Sequence, residues 1–198
     1  MRRLGLGLCL GLLSLGCVST TYDHGVPNLH QVRPNAWRSG QPTGSEAWKY
    51  LAGLGIKYDV KLDFDDEGSD DLAAAQGIAV FYLPIEPSTK AGFLDSVVDV
   101  FAVPDPAKIA QIRAQLAKIG EDRRFDGGWI IHCKNGHDRT GFVVGMLRVI
   151  ADGWDKHHAW GEMLEMGYHP ELIGLDRAFH DFSLPPPDPP QPPAKDVP

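Results

Sequence analysis

The stretch "IIHCKNGHDRTGF" sets Cys133 and Arg139 six residues apart in a short polar loop, with Gly136 midway between them. A thiolate is a strong nucleophile. A guanidinium is a planar fork that matches two oxygens of a phosphate, and glycine lets the intervening chain turn without a Cβ clash. One loop can thus supply a nucleophile and hold its target.

The flanking segments must hold that loop still. On one side "GGWII" reads as a buried strand ending at His132, and on the other a helix begins near Arg139. A backbone bent between them can point successive N–H groups at one spot, where the first helical turn adds unpaired donors and the positive end of its dipole. That geometry binds an oxyanion. The same donors stabilise a thiolate at Cys133. The helix "TGFVVGMLRVIA" is apolar on nearly every face except at Arg148, which predicts burial in the domain centre and a rigid support for the loop.

Upstream, "GLGIKYDVKLDF" is a glycine-capped helix end followed by an alternating strand, and "QGIAVFYLPI" repeats that logic twenty residues on. Extended pieces are expected around 29–39, 56–62, 78–83 and 129–132. Helices are expected around 44–53, 70–76, 105–119, 139–151, 155–166 and 171–181. The alternation predicts an α/β fold with a central, mostly parallel sheet flanked by helices.

The chain has 198 residues, 43% hydrophobic and 23% charged, enough for one domain core. Its start, "MRRLGLGLCLGLLSLGC", has two arginines, a short apolar stretch and a small residue before Cys17, the pattern of an export signal over residues 1–16. The end of that segment resembles the lipobox of bacterial lipoproteins, which implies lipidation at Cys17, although Ser14 stands where that pattern has leucine. The expected location is periplasmic, or anchored to a membrane by lipid alone. Removing residues 1–16 leaves 17 basic against 26 acidic side chains, a formal charge of −9. Nucleic acid is not an expected partner. Cys9 leaves with the signal, and a lone thiol at Cys133 in an oxidising compartment is better explained by reactivity than by structure. Residues 17–184 form the expected domain, and 185–198, "PPPDPPQPPAKDVP", an extended proline-rich tail.

No metal or cofactor is expected. The loop "DFDDEGSDDLAA" partly mimics a calcium loop, but Ala74 stands where the closing bidentate glutamate belongs, and a solvated acidic loop is the expectation. No second cysteine or paired histidine arrangement suggests zinc.

"HCKNGHDRTG" resembles the Cys-x5-Arg-Ser/Thr signature loop of the cysteine-dependent protein-tyrosine and dual-specificity phosphatases. The segments "WRSGQPT", "GIKYDVKLD", "YLPIEP" and "GWDKHHAWGEMLEMGY" are similar to small exported bacterial members, so the resemblance spans about residues 30–170. It implies a phosphocysteine intermediate and no metal. By position it makes Cys133 the nucleophile, Arg139 a phosphate ligand and Thr140 an aid to breakdown of the intermediate. His132 would help set the loop and the thiolate, and Lys134, Asn135, Gly136, His137 and Asp138 would present the backbone N–H groups. The family draws its general acid from an upstream aspartate, and Asp105, 28 residues before Cys133 in "FAVPDPAKIAQI", is the candidate. Helix capping by Asp105 ahead of Pro106 explains the same residues. Asp95 and Asp99 lie further upstream. Asp138 is the rival acid, with loop orientation as its alternative role.

A phosphorylated protein or small phosphate ester is the expected partner, with phosphotyrosine ahead of inositol phosphates, which Lys134 and His137 would favour. A rhodanese-type sulfurtransferase would have a loop one residue shorter. A catalytically dead phosphate-binding module would not need both Cys133 and Arg139.

Overall fold

The computed structural model describes residues 22–85, 104–121 and 127–183. The export segment, Cys17, Asp95, Asp99 and the proline-rich tail lie outside them. A two-stranded hairpin, β1 (Tyr22–Asp23) and β2 (Val26–Pro27), precedes strands β3 (His30–Arg33) and β4 (Ala36–Ser39). Then follow α1 (Gly44–Gly53), β5 (Ile56–Lys61), α2 (Asp71–Ala74), β6 (Ala79–Tyr82) and α3 (Pro106–Glu121). Strand β7 (Gly128–His132) leads into α4 (Asp138–Ala151), α5 (Lys156–Glu165) and α6 (Ile173–Asp181). The five-stranded sheet has the order β3-β4-β7-β5-β6, with β3 antiparallel to β4 and every other pair parallel. The α/β fold with a mostly parallel sheet is as the sequence predicts. The opening hairpin is additional to it.

Strand β7 is central and buried along its whole length, which is why it reads as an apolar run rather than an alternation. Its side chains still alternate between two cores. Trp129, Ile131 and Cys133 belong with Val60, Leu62, Phe142 and Leu147 on the face covered by α3 to α6. Ile130 joins Trp48, Leu51 and Ile78 on the face covered by α1 and α2. His132 also points to that second face, with its ring edge-on to Trp48.

Helix α4 is buried at every position from Arg139 to Leu147 and at Val149. The half-buried Arg148 is the bolt between layers: it donates to Glu162 of α5, to Asp152 and to the Val32 carbonyl of β3. A helix fastened on all sides holds its N-terminus in place, and that end faces the signature loop.

Candidate active site

The signature loop leaves β7 at Cys133 and enters α4 at Asp138. Three successive carbonyls are taken from outside the loop. Gln41 N–H donates to the Lys134 carbonyl at 3.1 Å, Asn28 Nδ2 to that of Asn135 at 2.8 Å, and Arg38 to that of Gly136 at 2.7 Å. In a trans peptide the N–H points opposite to the C=O. Tying these carbonyls to neighbours therefore turns the N–H groups of Asn135, Gly136 and His137 to the other side of the arc, where α4 adds its own free donors.

Gly136 has φ +76°, and a Cβ there would lie 2.5 Å from the Gly40 nitrogen and 2.6 Å from the Ser39 carbonyl carbon. Gly40 is reciprocally tight, with a Cβ 3.0 Å from the Lys134 carbonyl oxygen. Loop and strand end meet backbone to backbone, and glycine at both positions makes the approach possible. Thr140 is fully buried and its hydroxyl donates to the Ser39 carbonyl at 3.5 Å.

Cys133 is 2% exposed and is the free cysteine among the described residues. Arg139, 3% exposed, meets Glu67 in a two-pronged pair at 2.7 and 2.9 Å. Burial alone would lower the Arg139 pKa, but the Glu67 hydrogen bonds and the charge of Cys133 raise it above the usual arginine range.

Glu67 belongs to the acidic 63–71 loop, whose carboxylates are exposed, as the sequence suggests, only at Asp65, Asp66 and Asp71. Asp63 and Asp70 are buried, because their charges are spent inside the protein. Lys61, 1% exposed, lies 3.2 Å from Asp63 and 3.7 Å from Asp70, and donates to Gln41 and to the Gly68 carbonyl. His132 Nε2 sits 3.1 Å from Asp70 and 3.2 Å from Asp59. Burial opposes a charge on His132, yet Asp59 and Asp70 outweigh it and raise the imidazole pKa well above its ordinary value. Burial pushes Asp59 up to about 6. For Asp70 burial is overcome, chiefly by the His132 hydrogen bond, and the value falls to about 2. Asp59, Asp70 and His132 have ligand atoms within 4.8 Å of one another and could in principle hold a metal. The Lys61 ammonium already supplies a cation there, so the group is built as an ion cluster rather than as a metal cage.

The two acid candidates are placed differently. Asp105 is exposed and caps α3, its carboxylate accepting from the Ala107 N–H at 2.9 Å. No hydrogen bond or ion pair among the described residues ties it to the signature loop. Asp138 accepts from both the backbone N–H and the ring Nδ1 of His169, each at 2.9 Å. It thereby fastens the turn after α5 to the loop. His137 lies 3.0 Å from Asn28 Nδ2, and burial lowers its pKa, favouring the neutral ring.

Sequence reading missed Glu67, Asp59, Asp70, Arg38 and Asn28. Each contributes through a partner at least 62 positions away, so no local spacing announces it.

Among curated proteins, the dual specificity protein phosphatase TpbA of Pseudomonas aeruginosa is 28% identical over 144 residues, 73% of this chain and 56% of TpbA. The chain therefore spans little more than half the length of the curated relatives it matches. The crystal structure of TpbA superposes with a TM-score of 0.58 at 23% identity, covering 82% of this chain and 89% of TpbA. A cysteine-to-serine TpbA variant in complex with pTyr gives 0.57 at 22% identity, covering 85% and 92%. PTPMT1 in complex with PI(5)P gives 0.55 at 11% identity, covering 77% and 94%. These likenesses establish the fold. Residues 24–157, which span the signature loop and both walls that grip it, match the sequence pattern of the tyrosine phosphatase family, and the chain belongs to that family.

Proposed function

We propose that this protein hydrolyses phosphate monoesters through a phosphocysteine intermediate, as a protein-tyrosine or dual-specificity phosphatase. The observation that carries the reading is the arc from Cys133 to Arg139, with three carbonyls held outward and its nucleophile and guanidinium at the two ends. The Cys133 sulfur attacks phosphorus, and the alcohol or phenol leaves with a proton from a general acid. Water, assisted by Thr140, then breaks the S–P bond and releases inorganic phosphate. The inward N–H groups and Arg139 hold the phosphoryl oxygens in both steps.

Phosphotyrosine or other protein phosphate is the leading substrate class, in keeping with the TpbA variant crystallised with pTyr. Inositol phosphates are the second, on the strength of the exposed Lys134 at the rim and of PTPMT1 crystallised with PI(5)P. Asp105 is the proposed proton donor, because the two hydrogen bonds from His169 give Asp138 a positioning task.

Cys133→Ser should abolish turnover of phosphotyrosine peptides while retaining phosphate binding. Half of the wild-type rate in that variant would refute the covalent route. Asp105→Asn should lower turnover of phenyl phosphate by about 10²–10⁴-fold and spare a nitrophenyl ester, whose leaving group departs unaided. If Asp138→Asn shows that selectivity instead, the acid lies in the signature loop and Asp105 is a helix cap only.

A further inference from the structure

The signature loop has a second arginine beside it that the motif does not contain. Arg38 stands on β4, paired in register with Ile131 of β7 and His30 of β3. It is 1% exposed. A buried guanidinium is ordinarily neutralised by a carboxylate, since an unpaired internal charge is costly. Among the described residues Arg38 forms no ion pair. One of its terminal nitrogens donates to the Gly136 carbonyl at 2.7 Å, and the other is buried without a hydrogen-bond partner.

The carboxylates nearest in effect are already engaged, Glu162 with Arg148 and Asp138 with His169. Arg148, His30 and His137 are the other titratable groups that Arg38 acts on or feels, and none of them is an anion. The strongest charge acting on Arg38 is that of Cys133. Burial outweighs that attraction and leaves the Arg38 pKa lowered to about 10.

We propose that Arg38 is a positioning residue of this site. It holds the loop in its anion-binding arc through the Gly136 carbonyl, and its uncompensated charge favours Cys133 as the thiolate. The arrangement divides the work between two arginines. Arg139, paired with Glu67, meets the phosphoryl group, while Arg38 stays behind the loop at the Gly136 carbonyl. The proposal rests on the phosphocysteine reading for its catalytic consequence, but its electrostatic half can be tested without any turnover.

The test is the pH profile of Cys133 alkylation by iodoacetamide, a neutral reagent whose approach does not depend on Arg38, in the full chain carrying Arg38→Met or Arg38→Lys. Circular dichroism and thermal melting check the fold. In Arg38→Met the profile should move to higher pH, with alkylation on its rising limb slowed about tenfold, the effect of one unit of displacement. Arg38→Lys, which returns the charge, should restore the wild-type profile while kcat/KM for phosphotyrosine peptide stays depressed, since one ammonium does not reproduce the planar donor at Gly136. If Arg38→Met does not fold, Arg38→Gln keeps a donor for Gly136 without the charge and should show the same displacement. A folded neutral variant with the wild-type profile would overturn the proposal. So would a lysine variant that behaves like methionine, because packing rather than charge would then be at work. If the wild type alkylates as described but hydrolyses no phosphate ester, the functional reading fails and the electrostatic one stands.

Discussion

Along β4 the signature loop packs against backbone and takes a hydrogen bond from the Arg38 guanidinium, and along the 63–71 loop its flanking residues meet carboxylates. On the first side Gly136 and Gly40 pack against the opposing chain with no room for a methyl group, and main-chain carbonyls are the acceptors. On the second, Glu67 aims Arg139 and Asp70 holds His132, the residue before the nucleophile. Excluded volume does not respond to protons, whereas carboxylates do. The shape of the arc and the aim of its charged groups therefore have separate supports, and a perturbation of one should leave the other measurable.

The largest expected effect lies on the backbone side. Gly136→Ala forces a Cβ into a 2.5 Å contact at positive φ, and displacing the loop by even about 1 Å can lower the rate roughly 100-fold. We expect kcat/KM to fall by at least about that factor, with the Arg139–Glu67 pair unaffected. Steady-state kinetics within about fivefold of wild type would show that the arc tolerates reshaping.

Next comes the charged side. Glu67→Gln leaves a buried guanidinium without its counter-charge, which should lower unfolding free energy by about 3 kcal/mol. Added inorganic phosphate would replace the missing anion, so it should raise the melting temperature of this variant more than that of the wild type. Equal shifts in the two proteins would mean that Glu67 does not serve as the counter-charge of Arg139.

The smallest effect is a pH dependence confined to the ion cluster. Asp59 and His132 both have raised pKa values in the folded protein. Their stabilisation is complete below the unfolded values, and it is lost as pH rises through about 6 for Asp59 and higher for His132. Asp70, depressed to about 2, acts in the opposite sense and loses its contribution as pH falls below about 4 toward about 2. Urea unfolding should thus show a decline on the order of 2 kcal/mol from pH 5 to pH 8, and Asp59→Asn should flatten it. A wild-type stability that rises across that window would place the titration elsewhere.

The same division decides how much could be read from the amino-acid order. Cys133, Gly136 and Arg139 share one turn between a buried strand and a buried helix, so spacing and hydrophobic periodicity suffice to bring them together. The helix ends were equally local: Asp155 caps α5 by accepting the His158 N–H, and Asp105 caps α3 in the same way. Asp63, Glu67 and Asp70 were read as solvated because a run of carboxylates in a loop ordinarily is. What buries them is Lys61 at the end of β5, two residues before Asp63, together with His132 on β7 and Arg139 on α4, and only the strand order puts the last two beside the loop. Arg38 and Asn28 escaped for the same reason, with their acceptors 98 and 107 positions away.

The register that seats Ala36 to Ser39 against Trp129 to His132 also sets an order of events in folding. Strand β4 leaves the ribosome long before β7 exists, and the loop carbonyls have no donors until the two have zipped in parallel across a separation of about ninety residues. Closing such a long loop is slow compared with forming the local helices. The anion pocket is therefore a late product of assembly. Partly folded chains that already contain Cys133 carry the thiol without the cradle, and their cysteine chemistry is that of an ordinary exposed thiol.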